Sequence, residues 1–149
     1  MAANPAIVEL TPEQTHPIRR AVLRDGTASD AVEFDGDHAP GTFHLGVVVD
    51  GGLVAISSWM ERRYPDLPGH AGHQLRGMAT LAERRGDGLG ARMLEAGLER
   101  ASVAGSTVVW ARARSTALAF YERHGFERRG DQYTDLTTGL AHHDIVVFV

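Results

Sequence analysis

Residues Gln74–Ala91 read QLRGMATLAERRGDGLGA. Gln74 to Leu81 is apolar-rich and predicts a strand. Leu89 opens a run with apolar residues at helical spacing. Between them lie Gly86, Gly88 and Gly90, with Arg84 and Arg85 just before. A helix start offers backbone N–H groups with no intrahelical partner, and the macrodipole adds roughly half a positive charge there. Glycines let the backbone approach an anion without a Cβ in the way. Two arginines add charge-assisted donors. The stretch predicts a phosphate or pyrophosphate site at a helix N-terminus. It is not a Walker A loop, since Ala91-Arg92 follow Gly90 where Lys-Ser/Thr is required. It is not a Rossmann fingerprint either, since Met93 stands where the third glycine belongs.

Outward from this stretch the pattern is a mixed α/β domain. Ala6 to Leu10 predicts an edge strand. Thr11-Pro12-Glu13-Gln14 predicts a helix start with a threonine cap, and Ile18, Ala21 and Val22 give that helix an apolar stripe. Asp25 to Gly41 reads as irregular. Thr42 to Val49 and Leu53 to Met60 flank Asp50-Gly51-Gly52, a hairpin signal, and Arg62 to Gly72 reads as a loop. On the helix Leu89–Ala104, Leu89, Met93, Leu94, Gly97, Leu98 and Ala101 share one face. Thr107 to Ala111 predicts a buried strand. Ser115 to His124 predicts a second helix, capped by Ser115 and stopped by Gly125. Phe126 resumes extended structure, and Ile145 to Val149 predicts a terminal strand. No repeat or linker divides residues 1–149, which read as one domain with a layer of sheet and helices on its faces.

The 149 residues suffice for one packed core, at 43% hydrophobic and 23% charged. No apolar run has the length of a bilayer crossing. Met1 to Leu10 lacks a basic segment followed by an apolar one, so a cytoplasmic location is expected. The absence of cysteine excludes thiol catalysis, disulfides and cysteine–zinc sites. A net charge of −4 argues against nucleic-acid binding. Arginines still cluster locally at Arg84-Arg85, Arg112 with Arg114, and Arg128-Arg129, which on composition alone reads first as an ordinary solvated surface and otherwise suits a small phosphorylated ligand.

Two segments together carry a family resemblance. Arg85-x-x-Gly88-x-Gly90 resembles the Q/R-x-x-G-x-G/A acetyl-CoA signature of the GCN5-related N-acetyltransferase (GNAT) superfamily. Ala117-Leu118-Ala119-Phe120-Tyr121-Glu122-Arg123-His124-Gly125-Phe126 is similar to that superfamily's A-x-x-F-Y-x-x-x-G-F helix and turn. The resemblance covers roughly Thr42 to Gly130. It implies a GNAT-like fold, a central mostly antiparallel sheet with helices on both faces. It implies an acetyl-CoA-dependent N-acetyltransferase acting on an amine acceptor, a small molecule or a peptide-type amine, by direct attack. Met78, Ala79 and Thr80 would present backbone to the pantetheine arm. Arg84, Arg85, Gly86, Asp87, Gly88, Leu89 and Gly90 would wrap the pyrophosphate, with Ala91 following. Tyr121 would be the general acid, since a phenol is a reasonable proton donor to a nascent thiolate. Arg114 departs from the pattern: many relatives carry asparagine there to hold the cofactor arm, and arginine could pair with a phosphate instead. Dimers are frequent in the superfamily, so a homodimer fits the resemblance.

An amine of pKa near ~10.4 must lose a proton before it attacks. The candidate bases are Glu61, His44, His73, Glu33 and Asp35, or a chain of waters. The acceptor pocket is expected between the first helix, the Asp25–Gly41 loop and the segment from Tyr133 to His143. Acidic Glu33, Asp35 and Asp37 could attract a cationic amine or simply solvate the loop. His70-x-x-His73 and His142-His143 lack a convergent third ligand, so no metal site is expected. The reading in a different class is a non-catalytic acyl-CoA-binding or regulatory module of the same fold, which loss of Tyr121 or of the glycine loop would have favoured. A phosphate-binding domain of another family is the third.

Overall fold

The structure is a computed structural model that describes residues 4–27 and 29–149. Met1–Ala3 and Ala28 lie outside the described residues, so the readings of the N-terminus and of the Asp25–Gly41 loop are only partly covered.

The hairpin signal is realised as β2 (Phe43–Val49) and β3 (Gly52–Glu61). Asp50 and Gly51 in the turn have φ of 52° and 80°, the two positive values a tight hairpin matching the strand twist requires. β4 (Gly72–Thr80) continues the meander and β1 (Ala6–Leu10) adds to its far side. β5 (Val108–Arg114), β6 (Glu127–Thr134) and β7 (Ala141–Phe148) complete the sheet in the order β1-β2-β3-β4-β5-β7-β6. Only β4 and β5 pair in parallel. The sheet is therefore mixed and mostly antiparallel, as the resemblance implied.

The helical pattern of residues 89–103 buries one face. In α2 (Leu89–Val103), Leu89, Met93, Leu94, Gly97 and Ala101 are buried. They pack with α3 (Leu118–Arg123) and with Leu45, Trp59, Leu75 and Val109 of the sheet in the main core. The opposite sheet face is covered by the segment 13–23. Thr11 starts it as a capping box: its hydroxyl accepts the Gln14 N–H at 3.3 Å and its N–H donates to the Gln14 side chain at 2.8 Å.

This segment departs from the amphipathic helix its sequence predicts. It passes through a 3-10 turn (Glu13–Thr15), a short α1 (His16–Ile18) and a π-helical turn (Arg19–Leu23). The π turn shifts the helical phase by about one residue. Ile18 and Val22 still pack on Ile56 and Ala79, but Ala21 is exposed and Arg19 is fully buried.

Ser115 does not cap the second helix. Its hydroxyl instead faces the Gln132 side chain and His143 Nδ1, both at 3.4 Å, and a 3-10 turn (Ser115–Ala117) leads into α3. Among the described residues no helix is long and apolar enough to cross a membrane.

Candidate active site

The cleft arises where two parallel strands part. β4 and β5 pair from Gly72↔Val108 to Leu75↔Ala111 and no further. Beyond that point β4 bulges. Its register with β3 slips, and Gly77 takes φ +60°. β5 meanwhile stays with β7 as far as Arg114↔His142. The strands splay, and the backbone of Arg76–Thr80 on the β5 side has no strand partner. The gap opens into a cleft of about 210 Å³ lined by β4, β5, α3, the end of the π turn, Phe34 and the β6–β7 connection. The elements foreseen as the acceptor pocket do converge there, through Leu23, Arg24, Phe34, Asp135, Thr138 and His142.

On the α2 side, Met78 lines the cleft and packs on the main core. Ala79 points the other way, buried against Ile18 and Ile56, and Thr80 pairs with Ala55 of β3. The chain then turns through Ala82–Arg84 into Gly86 (φ +88°) and Gly88 (φ +75°). Only glycine takes such values without strain. Gly88 caps α2, whose first intrahelical bond runs from the Arg92 N–H to the Gly88 carbonyl at 3.3 Å. The N–H groups of Leu89, Gly90 and Ala91 precede that bond and have no acceptor within the helix. A Cβ on Gly86 or Gly88 would meet no atom within 4 Å. These glycines thus answer to backbone conformation, with open space in front of them. Arg84 is half-buried, Asp87 is exposed, and the Arg85 Nε donates to the Thr80 carbonyl at 3.3 Å. Gly90 closes the link to the cleft: a Cβ there would lie 3.5 Å from Met78 Cε and 3.6 Å from Phe120 Cζ.

Tyr121 lines the cleft from α3. Phe120 and Phe126 hold its ring edge-on, with centroids at 5.2 and 5.4 Å. Burial pushes the phenol well above its ordinary value, so it stays protonated at neutral pH. No hydrogen-bonding group of the protein contributes to that shift.

The acceptor side differs from expectation. Asp37 is buried and forms a bidentate pair with Arg19, at 2.7 and 2.9 Å. Asp35 pairs with Arg62 at 3.1 Å, and Glu33 is exposed. None of the three lines the cleft. Asp35 and Asp37 are held away because the loop folds their carboxylates back onto Arg62 and Arg19.

The five candidate bases lie elsewhere as well. His44 is buried between the Ser58 hydroxyl (2.7 Å) and the Asp37 carbonyl (3.0 Å). His73 is buried between the Ser106 hydroxyl (2.7 Å) and the Gly41 carbonyl (3.1 Å). Glu61 joins His73 at a separate hollow formed with the Ala104–Ser106 turn.

Sequence reasoning placed the Tyr133–His143 segment at the acceptor pocket but did not single out Asp135 or His142 within it. His142 is buried, stacks on Tyr133 with centroids 6.1 Å apart, and places Nδ1 3.0 Å from the Leu140 carbonyl. A carbonyl only accepts, so Nδ1 is assigned the proton and Nε2 keeps its lone pair. The signal was present in the two adjacent histidines, but only the β5–β7 register turns the first of them into the cleft. Arg114 also lines the cleft, with one guanidinium nitrogen donating to the Leu23 carbonyl at 2.5 Å.

The splayed parallel pair and the glycine-capped helix thus put an unpaired strand edge and free helix N–H groups beside one cleft. Residues 41–128 match the Acetyltransferase (GNAT) domain family, and the chain belongs to that family. The uncharacterized N-acetyltransferase YitI of Bacillus subtilis (strain 168) is 31% identical over 134 residues, spanning 90% of this chain and 89% of its own. Among solved structures, FeeM, an N-acyl amino acid synthase from uncultured soil microbes, superposes with a TM-score of 0.85 at 12% identity over 99% of this chain and 92% of its own. An aminoglycoside 6′-N-acetyltransferase complexed with coenzyme A superposes at 0.72 and 12% identity, over 96% of each chain. The chain is an acyltransferase of the GNAT class, whose members use acyl-CoA donors.

Proposed function

We propose that the protein transfers an acetyl group from acetyl-CoA to the nitrogen of a small amine by direct attack. The observation that carries this reading is the meeting of three features in one cleft: the unpaired backbone edge of β4 at Met78–Thr80, the Tyr121 phenol, and the glycine-capped start of α2 reached through Gly90. The pyrophosphate would sit on the N–H groups from Gly86 to Ala91, with Arg84 and Arg85 adding charge and Asp87 contributing backbone only. Met78, Ala79 and Thr80 would present their backbone to the pantetheine arm. Arg114, tied to Leu23, supports the acceptor side of the cleft instead of replacing the asparagine of relatives. The cleft volume of about 210 Å³ suits a two-carbon acyl group beside a small acceptor.

In the reaction the amine lone pair attacks the thioester carbonyl carbon. The C–N bond forms, the tetrahedral intermediate collapses, and the C–S bond breaks. The thiolate takes the Tyr121 proton, leaving a phenolate that solvent reprotonates. Burial disfavours phenolate, but it would also disfavour a thiolate in the same cleft, so the transfer is less uphill than the raised phenol suggests. The proton lost by the amine passes to His142 Nε2, the acceptor-competent nitrogen in the cleft.

The test is isothermal titration with acetyl-CoA of the parent and of Gly88→Glu, followed by thiol release over a panel of amines. Binding by the parent, none by the folded variant, and turnover with at least one amine are the expected results. A folded parent that binds no acetyl-CoA overturns the reading.

A further inference from the structure

The acceptor half of the cleft is cationic in a protein of net charge −4. Arg24, Arg76, Arg112 and Arg114 line it, against one carboxylate, Asp135. Among the described residues none of these four arginines has a carboxylate within 4 Å. The carboxylates that could have neutralised them are engaged elsewhere. Asp37 is held by Arg19 and Asp35 by Arg62. Asp144, cross-strand from Arg112, takes the hydroxyls of Tyr64 (3.0 Å) and Tyr133 (2.7 Å). Asp135 accepts the N–H groups of Thr137 (2.8 Å) and Thr138 (3.0 Å) through one oxygen.

The arginines themselves keep donors to spare. Arg24 and Arg114 each give one hydrogen bond, to the Ala31 and Leu23 carbonyls at 2.5 Å. Arg76 reaches only the Asp35 carbonyl at 3.4 Å, and its guanidinium rests 4.5 Å from the centroid of Phe34. Arg112 lies 5.7 Å from the Trp110 ring. A guanidinium carries five N–H donors, so most of each fork is unspent. Arg24, Arg76 and Arg114 are partly desolvated, and holding such cations together costs free energy unless an anion joins them.

Coenzyme A is not the anion these groups await. Leu75, Val109, Ala111 and Ala113 point into the core under α2 and α3. Alternation along the strands puts Arg76, Arg112 and Arg114 on the other sheet face, with Phe34 and the π turn. The glycine loop stands at the start of α2, on the α2 face.

We propose that the acceptor is a small amine that also carries a carboxylate, an amino-acid-type molecule, held by Arg76 and Arg112 while its amine meets the thioester. The planar guanidinium fork matches a carboxylate in two parallel bonds. This rests on the acyl-transfer reading above and is tested separately from it. Turnover is compared for an amino acid, its carboxamide and its decarboxylated amine, using alanine and phenylalanine sets, in the parent and in Arg112→Gln and Arg76→Gln. The acids are expected to exceed both neutral forms at least tenfold in kcat/KM, through KM. Arg112→Gln, at an exposed position, is expected to erase that preference, with its melting temperature showing that the variant is folded. Titration of N-acetylalanine against N-acetylalaninamide gives a readout without turnover, and the acid should bind at least tenfold tighter. Equal handling of acid and neutral forms, by a protein that binds acetyl-CoA and acetylates amines, overturns the anionic acceptor and leaves acyl transfer standing. Tighter binding of the acid by a protein that does not bind acetyl-CoA does the reverse.

Discussion

Arg19 and Asp37 face each other with both forks engaged, Nη1 to Oδ2 at 2.7 Å and Nη2 to Oδ1 at 2.9 Å, their side chains 0% and 2% exposed. Arg19 also donates to the Val32 carbonyl and the Ser58 hydroxyl, each at 2.8 Å. Its guanidinium carbon lies 3.8 Å from the Phe34 ring centroid, and the Phe34 N–H donates to Asp37 at 2.9 Å. The pair thus ties the π turn, the loop and β3 together and sets Phe34 at the cleft. Removing one partner strands a buried charge, at a cost of about 3–5 kcal/mol. Asp37→Ala is expected to lose that much in urea unfolding. A loss under about 1 kcal/mol would show that the pair is replaceable by water.

The same network predicts acid sensitivity. Burial lowers His44 below its ordinary value, with the hydrogen bond to the Asp37 carbonyl only partly opposing it. Burial alone would raise Asp37, but hydrogen bonds from Arg19 and the Phe34 N–H hold it lower than usual. For both groups the unfolded chain binds its proton first as pH falls. Their stabilisation is complete above the unfolded values, about 6.5 for histidine and about 3.9 for aspartate, and declines below them. The melting temperature should therefore fall from pH 7 to pH 5 and again below pH 4. His44→Gln should flatten the first step, and an equal step in both proteins would assign it to other histidines.

Gly97 of α2 faces Trp59, whose indole a Cβ at Gly97 would overlap. Trp59 is fully buried, stacked on Phe43 at 5.6 Å and bonded through Nε1 to the Ser57 hydroxyl at 2.9 Å. It has no room to yield. Gly97→Ala gains helix propensity, yet overpacking should dominate and destabilise by about 1–3 kcal/mol or more. A variant as stable as the parent would mean that α2 can lift off the sheet.

Tyr121→Phe removes a hydroxyl to which no protein hydrogen bond contributes, so stability should change by less than about 1 kcal/mol. Loss of the proposed general acid should lower kcat about 10²–10⁴-fold with little change in acetyl-CoA binding. Unchanged kcat would assign the proton to water.

His142→Gln keeps bulk and polarity but removes the proposed proton acceptor. A fall in kcat/KM of about 10²-fold or more at pH 7, shrinking at alkaline pH where the amine is already neutral, is the expected result. A loss that is the same at every pH would make His142 a packing residue against Tyr133.

Local chemistry wrote much of this protein openly. Asp50-Gly51 specified the hairpin because positive φ is a property of those residues themselves. Thr11 and Gln14 specified their capping box, and the period of Leu89 to Ala101 specified the buried face of α2. The glycine loop and the Tyr121 helix were legible for the same reason, since each is a contiguous run whose conformation lies in its own backbone and spacing.

The segments of the acceptor half were legible but its individual residues were not, because no contiguous run builds it. Arg24, Arg76, Arg112, Asp135 and His142 come together only where β4 parts from β5, and that splay depends on a bulge at Gly77 and on where parallel pairing stops. The fate of the acidic loop was equally hidden. Whether Asp35 and Asp37 attract an amine or neutralise Arg62 and Arg19 depends on which charges lie within 4 Å after folding. The sequence by itself determined the glycine-capped loop at one end of the site. Only the tertiary structure decided the sign of charge at the other end, because electrostatic interaction depends on distance through space and the chain records only distance along itself.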